Sequence, residues 1–383
     1  MRKIICLLGL LTAVRASAQY KVVLEVEGLP ANTPADSVYV AGSMNSWNPG
    51  VDKYRVSRTP DGPARVTLML PEGPASFKFT RGSWASVETG SSGADVDNRT
   101  IVVRRDTTVR VSIAGWKDRF APVAKKSTAG SRVHIVSDRF YMPQLNRYRR
   151  VWICLPKGYE SGRHYPVLYM HDGQNLFEDT TAFSGEWGID EAMDTLQAKT
   201  GGLIIVGIDH GGPKRINEYS PYDMERFGKG EGAAYTDFLV RTLKPFIDSA
   251  YRTRKGRADT YVAGSSMGGL ISMYAILRYP NVFGGAGIFS PAFWVAPGLK
   301  RDVLRWGADV RGRLYFYAGA QESSEMVPDM MGIYQLLRRL SAAPMQTVVR
   351  PDGKHNEPTW RQEFPAFVEW VTKKPPVKPM PKF

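Results

Sequence analysis

The sequence predicts an α/β protein whose mostly parallel sheet is flanked by helices and preceded by a small β-sandwich. Three observations carry this prediction. Residues 20–117 contain short runs in which apolar and polar residues alternate, which is typical of half-buried strands. Residues 118–131 lose all periodicity, as expected of a linker. From about Arg132 onward strand-like and helix-like runs alternate, which favours a parallel sheet covered by helices on both faces.

In the first region the turns between the alternating runs are short, and their spacing predicts an antiparallel sandwich over residues 19–117. The predicted strands are 21–28, 37–42, 64–70, 75–80, 100–103 and 108–113.

In the second region, residues 132–372, the predicted strands are 151–156, 166–172, 203–209, 259–265, 285–290, 314–320 and 346–353. The predicted helices are 187–199, 232–249, 267–279, 327–341 and 360–371. Ligands of such folds bind beyond the carboxyl ends of the strands, so the residues that close each strand are the candidates for chemistry.

Composition excludes several classes of protein. Among 383 residues, 43% are hydrophobic, which indicates a globular chain. The 51 Lys and Arg outnumber the 37 Asp and Glu, but they are scattered and form no basic helix or arm, so nucleic-acid binding is not expected. The most basic segment is the tail 373–383, whose lysines are spaced by prolines and are predicted to be solvated and flexible.

The first 18 residues have the pattern of a signal peptide. Arg2 and Lys3 precede the apolar run 4–14, and the small residues 16–18 precede a cleavage site at Gln19. We therefore expect a secreted or periplasmic protein. No later run approaches 18 apolar residues, so no membrane span is expected. Cleavage leaves Cys154 as the single cysteine, and its apolar neighbours predict a buried, unpaired thiol.

The strongest chemical motif is Gly264-Ser265-Ser266-Met267-Gly268, which fits G-x-S-x-G between an apolar strand and an apolar helix. The small residues allow a tight strand-to-helix turn that exposes the hydroxyl of Ser266 at the helix N-terminus. There the N–H of Met267 and the helix dipole can stabilise an oxyanion. The motif predicts a serine nucleophile.

A serine nucleophile needs a general base, for which histidine suits neutral pH. Of the five histidines, His134 and His164 precede strands, at the wrong end of the sheet. His171, His210 and His355 each close or follow a strand. In this fold class the order along the chain is serine, acid, histidine, which favours His355 after the last predicted strand.

The acid should lie between Ser266 and His355, after the strand 314–320. Glu322 is nearest to the strand end and is preferred over Glu325 and Asp329, which the following helix can use at its N-terminus. Glu357 is a further candidate, or a local partner of His355.

The second oxyanion donor is expected in the loop after the strand 166–172. The N–H of Gln174 is the first choice and that of Gly173 the second. His171 and Asp172 can brace this loop or take part in catalysis, and the sequence leaves both roles open.

Substrate contacts are expected from aromatic and basic residues in the loops at the same edge. The aromatic candidates are Trp187, Tyr219, Tyr222, Phe293 and Trp294, each with ordinary packing as the alternative. Arg215 and Lys214 could attract an anionic ester.

Seven motifs in residues 132–372 carry a family resemblance: HDGQNLF, GEWGIDEAMD, IIVGIDHGG, NEYSPY, AGSSMGGLISMYA, IFSPAFW and KHNEPTW. This region resembles the putative-esterase family of α/β-hydrolases, which includes enterochelin-esterase-like trilactone hydrolases and feruloyl and acetylxylan esterases. The resemblance implies an α/β-hydrolase fold and a serine carboxylesterase without metal or other cofactor. It implies Ser266 as nucleophile and His355 as base, whereas the acid varies within the family.

The N-terminal motifs GSMNSWNPG, FKFTRGSWASVETG, VDNRTIVV and AGWKD are similar to immunoglobulin-like carbohydrate-binding modules of the starch- and glycogen-binding kind. The resemblance implies sugar stacking on Trp47, Trp84 and Trp116. The alternatives are that these tryptophans are core residues, or that the module is a wall beside the active site.

Together these features predict an exported serine esterase that acts on acylated carbohydrate through a Ser-His-acid mechanism, with feruloyl or acetyl esters as substrates. A siderophore trilactone esterase is the alternative within the same class. A non-catalytic glycan-binding protein is the alternative of another class. A metal-dependent hydrolase using His171, Asp172 and His210 is disfavoured because no paired metal-ligand spacing occurs.

Overall fold

The computed structural model describes residues 19–31, 33, 37–45, 47–57, 62–121, 125–183, 185–225 and 227–373. The chain divides into two compact units between Phe120 and Ala121, within the segment predicted to be a linker. The predicted signal peptide and residues 374–383 of the predicted tail lie outside the described residues.

The first unit is a β-sandwich, as predicted. Its described strands are β1 (Gln19–Gly28), β2 (Tyr39–Gly42), β3 (Ala64–Pro71), β4 (Gly73–Thr80), β5 (Glu88–Thr89), β6 (Arg99–Val103), β7 (Thr107–Ser112) and β8 (Gly115–Trp116). They form the sheets β3-β1-β7 and β2-β4-β6 and the pair β5-β8. One apolar cluster, including Leu24, Leu68 and Phe79, fills the core because alternate residues of the strands point inward.

The sandwich departs from the predicted antiparallel pattern at one pairing, because β1 pairs with β7 in parallel and with β3 antiparallel. Alternation of apolar residues determines which face of a strand is buried, but it carries no information on the direction of the neighbouring strand.

The second unit contains the predicted sheet, with helices on both faces. Its described strands are β9 (Val133–Met142), β10 (Arg147–Cys154), β11 (Val167–His171), β12 (Ile204–Ile208), β13 (Thr260–Ser265), β14 (Gly285–Phe289), β15 (Arg313–Gly319) and β16 (Met345–Arg350). The order is β16-β15-β14-β13-β11-β12-β10-β9. Strands β11 to β16 are parallel, and β9 and β10 form an antiparallel edge. This confirms the predicted fold class.

The described helices are α1 (Ile189–Thr200), α2 (Arg215–Glu218), α3 (Gly232–Phe238), α4 (Lys244–Ala250), α5 (Met267–Arg278), α6 (Leu299–Trp306), α7 (Met326–Leu340) and α8 (Glu357–Thr372). Side chains of α1 and α8 share one apolar cluster, and side chains of α3 to α7 share the other. The two clusters include residues from opposite faces of the strands, so each layer of helices buries one face of the sheet. Among the described residues no helix is long and apolar enough to cross a bilayer.

Three helical features differ from the prediction, and the first is the four-residue helix α2, which is not among the predicted helices. The expected helix 232–249 is interrupted by a π-helical turn at Leu239–Leu243, which ends two residues before Pro245 near the start of α4. Proline lacks an N–H group, so the regular hydrogen-bond ladder cannot continue through it. Helix α6 was not predicted, because its many charged residues mask the apolar stripe formed by Leu299 and Val303.

Cys154 is buried, as predicted, and burial raises the pKa of its thiol to about 12. The end of the predicted linker has no regular structure but is bonded to the second unit. Ser127 Oγ donates to Glu178 at 2.6 Å, and the N–H of Gly130 donates to Asp190 at 2.7 Å. Hydrogen bonds to the side chains of Glu178 and Asp190 therefore hold the end of the predicted linker against the second unit.

Candidate active site

Ser266 occupies a strained turn between β13 and α5. Its φ is 58° and its ψ is −120°. This backbone conformation is energetically unfavourable for any residue that has a side chain. The turn is tight. A Cβ at Gly264 would lie 3.0 Å from the main chain of Gly268, and one at Gly269 would lie 2.8 Å from the carbonyl oxygen of Phe289. Close packing therefore requires Gly264, one of the small residues that the motif predicts, and also Gly269, which lies one residue beyond the motif.

Three main-chain hydrogen bonds hold this turn. The N–H of Ser266 donates to the carbonyl of Phe289 at 2.9 Å, and the carbonyl of Ser266 accepts from Leu270 at 3.1 Å and Ala292 at 3.0 Å. The side chain of Ser266 is partly exposed. Met267 is the first residue of α5, so no carbonyl of the same helix is available one turn before it. Its N–H can therefore serve as an oxyanion donor.

The structure brings Glu322 and His355 together. Glu322 Oε2 lies 2.6 Å from His355 Nδ1, and the side chain of Glu322 is only 1% exposed. Glu322 Oε1 also accepts from Ser290 Oγ and from the N–H of Gly319, each at 2.6 Å. A hydrogen on His355 Nδ1 directed at the carboxylate leaves the lone pair of Nε2 able to accept a proton.

The ring of His355 is 26% exposed and packs nearly perpendicular to the ring of Trp360, with the ring centroids 5.0 Å apart at an interplanar angle of 83°. Trp360 Nε1 donates to Ser290 Oγ at 2.8 Å, and Ser290 Oγ donates to Glu322. Residues 290 and 360 thus hold Glu322 and His355 in place. Neither was among the predicted site residues, although the motifs IFSPAFW and KHNEPTW contain them.

The other candidate acids lie elsewhere. Glu325 directly precedes α7, and Asp329 is in its first turn, as the alternative interpretation of these residues predicted. Glu357 begins α8 and accepts a hydrogen bond from Asn175 Nδ2 at 3.2 Å. Among the described residues, the carboxylate hydrogen bonded to His355 is that of Glu322.

The predicted oxyanion turn follows β11. Asp172 adopts a left-handed φ of 58°, and Gly173–Asn175 form a 3₁₀ turn. A Cβ at Gly173 would lie 2.8 Å from the main-chain nitrogen of Ile208, so the turn can approach β12 only with glycine at this position. Gln174 is fixed through its own side chain, since Oε1 accepts from the N–H of His210 at 3.2 Å.

Asp172 and Arg215 form a bidentate ion pair, with Nε–Oδ1 at 2.7 Å and Nη2–Oδ2 at 2.8 Å. Burial alone would raise the pKa of Asp172, but the charge and hydrogen bonds of Arg215 bring it below its ordinary value. We expected Arg215 to attract an anionic ester. The structure corrects this expectation, because a buried carboxylate already neutralises its guanidinium.

His171 is buried beneath the turn that bears Ser266. A Cβ at Gly268 would lie 3.2 Å from the Cβ of His171. Its Nδ1 is hydrogen bonded to the hydroxyl of Tyr235 at 2.9 Å. Burial lowers the pKa of His171 to about 4, so its ring is neutral at neutral pH. Of the two roles left open, the structure supports bracing of the turn. In the described part of the chain, no group of three His, Cys, Asp or Glu residues is arranged to hold a metal ion.

The proposed substrate-binding aromatics separate into buried and exposed residues. Trp187 is 2% exposed and stacks on Trp360 in the core, and Tyr219 is 0% exposed with its hydroxyl accepting from the N–H of Asp172 at 3.2 Å. Neither ring can reach a ligand at the surface, so both are packing residues. The expectation that Trp187 and Tyr219 contact the substrate is therefore wrong. Trp294 is 48% exposed in the turn after β14 and remains available for substrate contact.

Phe293 is buried, and the hydroxyl of Tyr222 donates to Asp302 at 2.6 Å. Lys214 lies on the surface in the turn before α2.

The tryptophans of the first unit also differ in exposure. Trp116 is 0% exposed in the sandwich core, and its Nε1 donates to Thr33 Oγ1 at 2.8 Å. The prediction that Trp116 is a sugar platform is therefore wrong, because a sandwich of this size buries a large aromatic ring in its core. Trp47 and Trp84 are half-buried neighbours whose ring centroids lie 6.3 Å apart at an interplanar angle of 34°.

Comparison with known proteins decides the family. Residues 143–371, more than half of the chain, match the model of the Esterase family, described as "Putative esterase". The chain belongs to this family. This esterase is accordingly a carboxylic ester hydrolase, in agreement with relatives that are named esterases.

Two relatives of this chain are named esterases. An endo-1,4-beta-xylanase/feruloyl esterase of Xylanibacter ruminicola is 24% identical over 58% of this chain and 29% of its own length. An iron(III) enterobactin esterase of Dickeya dadantii is 26% identical over 60% of this chain and 52% of its own length. In the N-terminal part, an alpha-amylase of Niallia circulans is 48% identical over 94 residues, which are 24% of this chain and 7% of the amylase. The esterase thus spans only part of each of these relatives.

The fold is also found in a solved structure. The enterobactin esterase of Shigella flexneri superposes with a TM-score of 0.51 over 91% of this chain and 91% of the other, at 16% identity. A likeness at this identity shows the fold.

Proposed function

We propose that this esterase works through an acyl-enzyme formed on Ser266, with His355 as general base and Glu322 as the orienting acid. The observation that carries the proposal is the 2.6 Å hydrogen bond between Glu322 and His355. These residues follow β15 and β16, and Ser266 follows β13 in its strained turn. The strands are parallel, so their carboxyl ends lie at one edge of the sheet.

The proposed reaction has two acyl transfers. His355 Nε2 takes the hydroxyl proton of Ser266 as Oγ attacks the ester carbonyl, and Glu322 stabilises the imidazolium through Nδ1. The N–H groups of Met267 and Gln174 bind the oxyanion. Breaking of the carbon–oxygen bond releases the alcohol, which receives its proton from His355. Water, activated by His355, then attacks the acyl-enzyme and releases the carboxylic acid and free Ser266.

For the substrate we propose an acylated carbohydrate carrying feruloyl or acetyl groups, met outside the cytoplasm. Three observations support this choice: the relative named a feruloyl esterase, the N-terminal likeness to an alpha-amylase, and the paired rings of Trp47 and Trp84. The signal-peptide pattern of residues 1–18 supports export.

A siderophore trilactone is the second candidate, because one relative is named an iron(III) enterobactin esterase. The net charge of +14 favours an anionic substrate in general. The ion pair between Arg215 and Asp172 weakens the case for the siderophore, because the guanidinium of Arg215 is already neutralised by a carboxylate.

A panel of substrates separates these candidates. The protein and its Ser266→Ala variant are incubated with p-nitrophenyl acetate, feruloylated and acetylated xylo-oligosaccharides, and a catecholate trilactone. We expect kcat/KM for one of the sugar esters to exceed that for the trilactone by about tenfold or more, equivalent to about 1.4 kcal/mol in transition-state binding. The alanine variant gives the background rate.

Preference for the trilactone would overturn the proposed substrate class while leaving the mechanism in place. Release of product from none of the esters by the unmodified protein would overturn the mechanism itself.

Glycan binding by the first unit is tested separately. Trp84→Ala removes one ring of the pair, and we expect affinity for insoluble starch or xylan to fall about tenfold, because an aromatic platform buries a large apolar area against a sugar face. The measurement is retention of the full chain on the polysaccharide. Tyr148→Ala, which removes an exposed ring from the second unit, is the matched control. Equal retention of all three proteins would contradict a role for Trp84 in sugar binding.

A further inference from the structure

A hydrogen bond joins the start of α8, next to the loop that bears His355, to the turn that bears Gln174. Glu357, two residues after His355, begins α8, and its Oε1 accepts from Asn175 Nδ2 at 3.2 Å. Asn175 directly follows Gln174 in the 3₁₀ turn. The proposed base and the proposed oxyanion donor come from distant parts of the second unit, and this contact connects them.

Asn175 is well placed to transmit a displacement to Gln174. Its N–H donates to the carbonyl of Asp172 at 2.9 Å, and its carbonyl accepts from Trp187 at 2.8 Å. Its Oδ1 accepts from the N–H of Phe183 at 3.4 Å. Asn175 thus carries several of the hydrogen bonds that fix the turn. Loss of its hydrogen bond with Glu357 therefore removes a restraint on the whole turn.

The carboxyl of Glu357 is also placed among charges. The groups that interact with it are His355 from its own loop, Asp172 from the turn after β11, and Arg215 from α2. Burial raises the pKa of Glu357 to about 7, and Asp172 adds to this effect while His355 and Arg215 oppose it. The carboxyl therefore exchanges its proton near neutral pH, where its charge acts on His355.

We infer that Glu357 is a positioning residue of the hydrolytic reaction, which holds the oxyanion turn in register with His355 and whose negative charge favours the imidazolium formed during acyl transfer. This inference rests on the proposed function. The role of Glu357 is distinct from that of Glu322. Glu322 is hydrogen bonded directly to His355 Nδ1, whereas Glu357 is hydrogen bonded to Asn175.

The test compares variants that separate the hydrogen bond from the charge. Glu357→Gln keeps an acceptor oxygen for Asn175 but has no charge. Glu357→Ala and Asn175→Ala each remove the hydrogen bond. Glu369→Gln, an exposed position on the same helix, is the matched control. For each protein kcat and KM on p-nitrophenyl acetate are measured from pH 5 to 9, and reactive Ser266 is counted with a fluorophosphonate, so that rates refer to folded enzyme.

We expect Glu357→Ala and Asn175→Ala to lower kcat by about 10- to 30-fold with KM changed less than about threefold, the pattern of a lost transition-state interaction. The double variant should lose no more than the poorer single variant, because both changes remove one contact. Glu357→Gln should keep kcat within about threefold of the unmodified enzyme. Its acid limb of kcat/KM should move to lower pH by about 0.5 unit or more, since a neutral neighbour no longer favours protonated His355.

Three results would overturn the inference: unchanged kcat in Glu357→Ala, single losses that multiply in the double variant, or a pH profile of Glu357→Gln that coincides with that of the unmodified enzyme. A merely structural role would lower the reactive fraction without moving the pH profile. If the unmodified protein hydrolyses no ester, the proposed function fails; if it is active and these variants behave like Glu369→Gln, only this inference fails.

Discussion

Alanine at Ser266 is expected to lower kcat for a short p-nitrophenyl ester by about 10⁴- to 10⁶-fold, and alanine at His355 by a similar factor. Without Oγ no acyl-enzyme forms, and without the imidazole the hydroxyl keeps its proton at neutral pH. The double variant should be no worse than either single variant, because the two groups act in one step. Steady-state rates and the stoichiometry of fluorophosphonate labelling measure the effect.

The controls for this experiment are Ser249→Ala and His164→Ala, which change an exposed serine and an exposed histidine on the same unit. Both should retain the rate of the unmodified enzyme. More than about a tenth of that rate in Ser266→Ala or His355→Ala would contradict the assignment, because effects on a true nucleophile or base are orders of magnitude larger.

Glu322→Gln is expected to lower kcat by about 10³- to 10⁴-fold, as in triads whose acid is replaced by its amide. The carboxylate accepts from His355, Ser290 and Gly319, all of them donors. Glutamine offers one acceptor oxygen, and its NH₂ group must face at least one donor. An unsatisfied buried donor costs about 1–3 kcal/mol, so the free energy of unfolding should fall as well. Urea denaturation and kcat measure the two effects separately.

Glu325→Gln and Asp329→Asn are the matched controls, because the sequence makes both residues alternative acids. Neither is hydrogen bonded to His355 among the described residues, and we expect both variants to retain activity within about threefold. A loss in Glu325→Gln as large as that in Glu322→Gln would show that the acid is misassigned.

The sequence was sufficient for features that depend on local chemistry. The glycines around Ser266 predict a tight turn because a side chain cannot fit there, and the structure shows the contacts that exclude one. Glu322 was preferred because it lies nearest the end of its strand, and it is the carboxylate hydrogen bonded to His355. The sheet was predictable for the same reason, since buried parallel strands form continuous apolar runs.

Pairings between distant residues were not predictable from local patterns. Nothing in the sequence near Arg215 indicates that Asp172 neutralises it, and the burial of Trp187, Tyr219 and Trp116 depends on neighbours supplied by other elements. Aromatic residues suit both a binding pocket and a core, so composition alone cannot separate the two. The contact between Glu357 and Asn175 belongs to the same class, because it joins residues from separate strand–helix connections.

The bond from Trp360 to Ser290 has a consequence for shortened forms of this chain. Trp360 belongs to α8, the last helix of the described residues, and the neighbouring loop carries the proposed base. A form cut before residue 355 keeps every residue of the turn that bears Ser266, but it lacks both the imidazole and the indole that orients its partner. We therefore expect proteolytic removal of this segment to abolish ester hydrolysis while leaving Ser266 in the product.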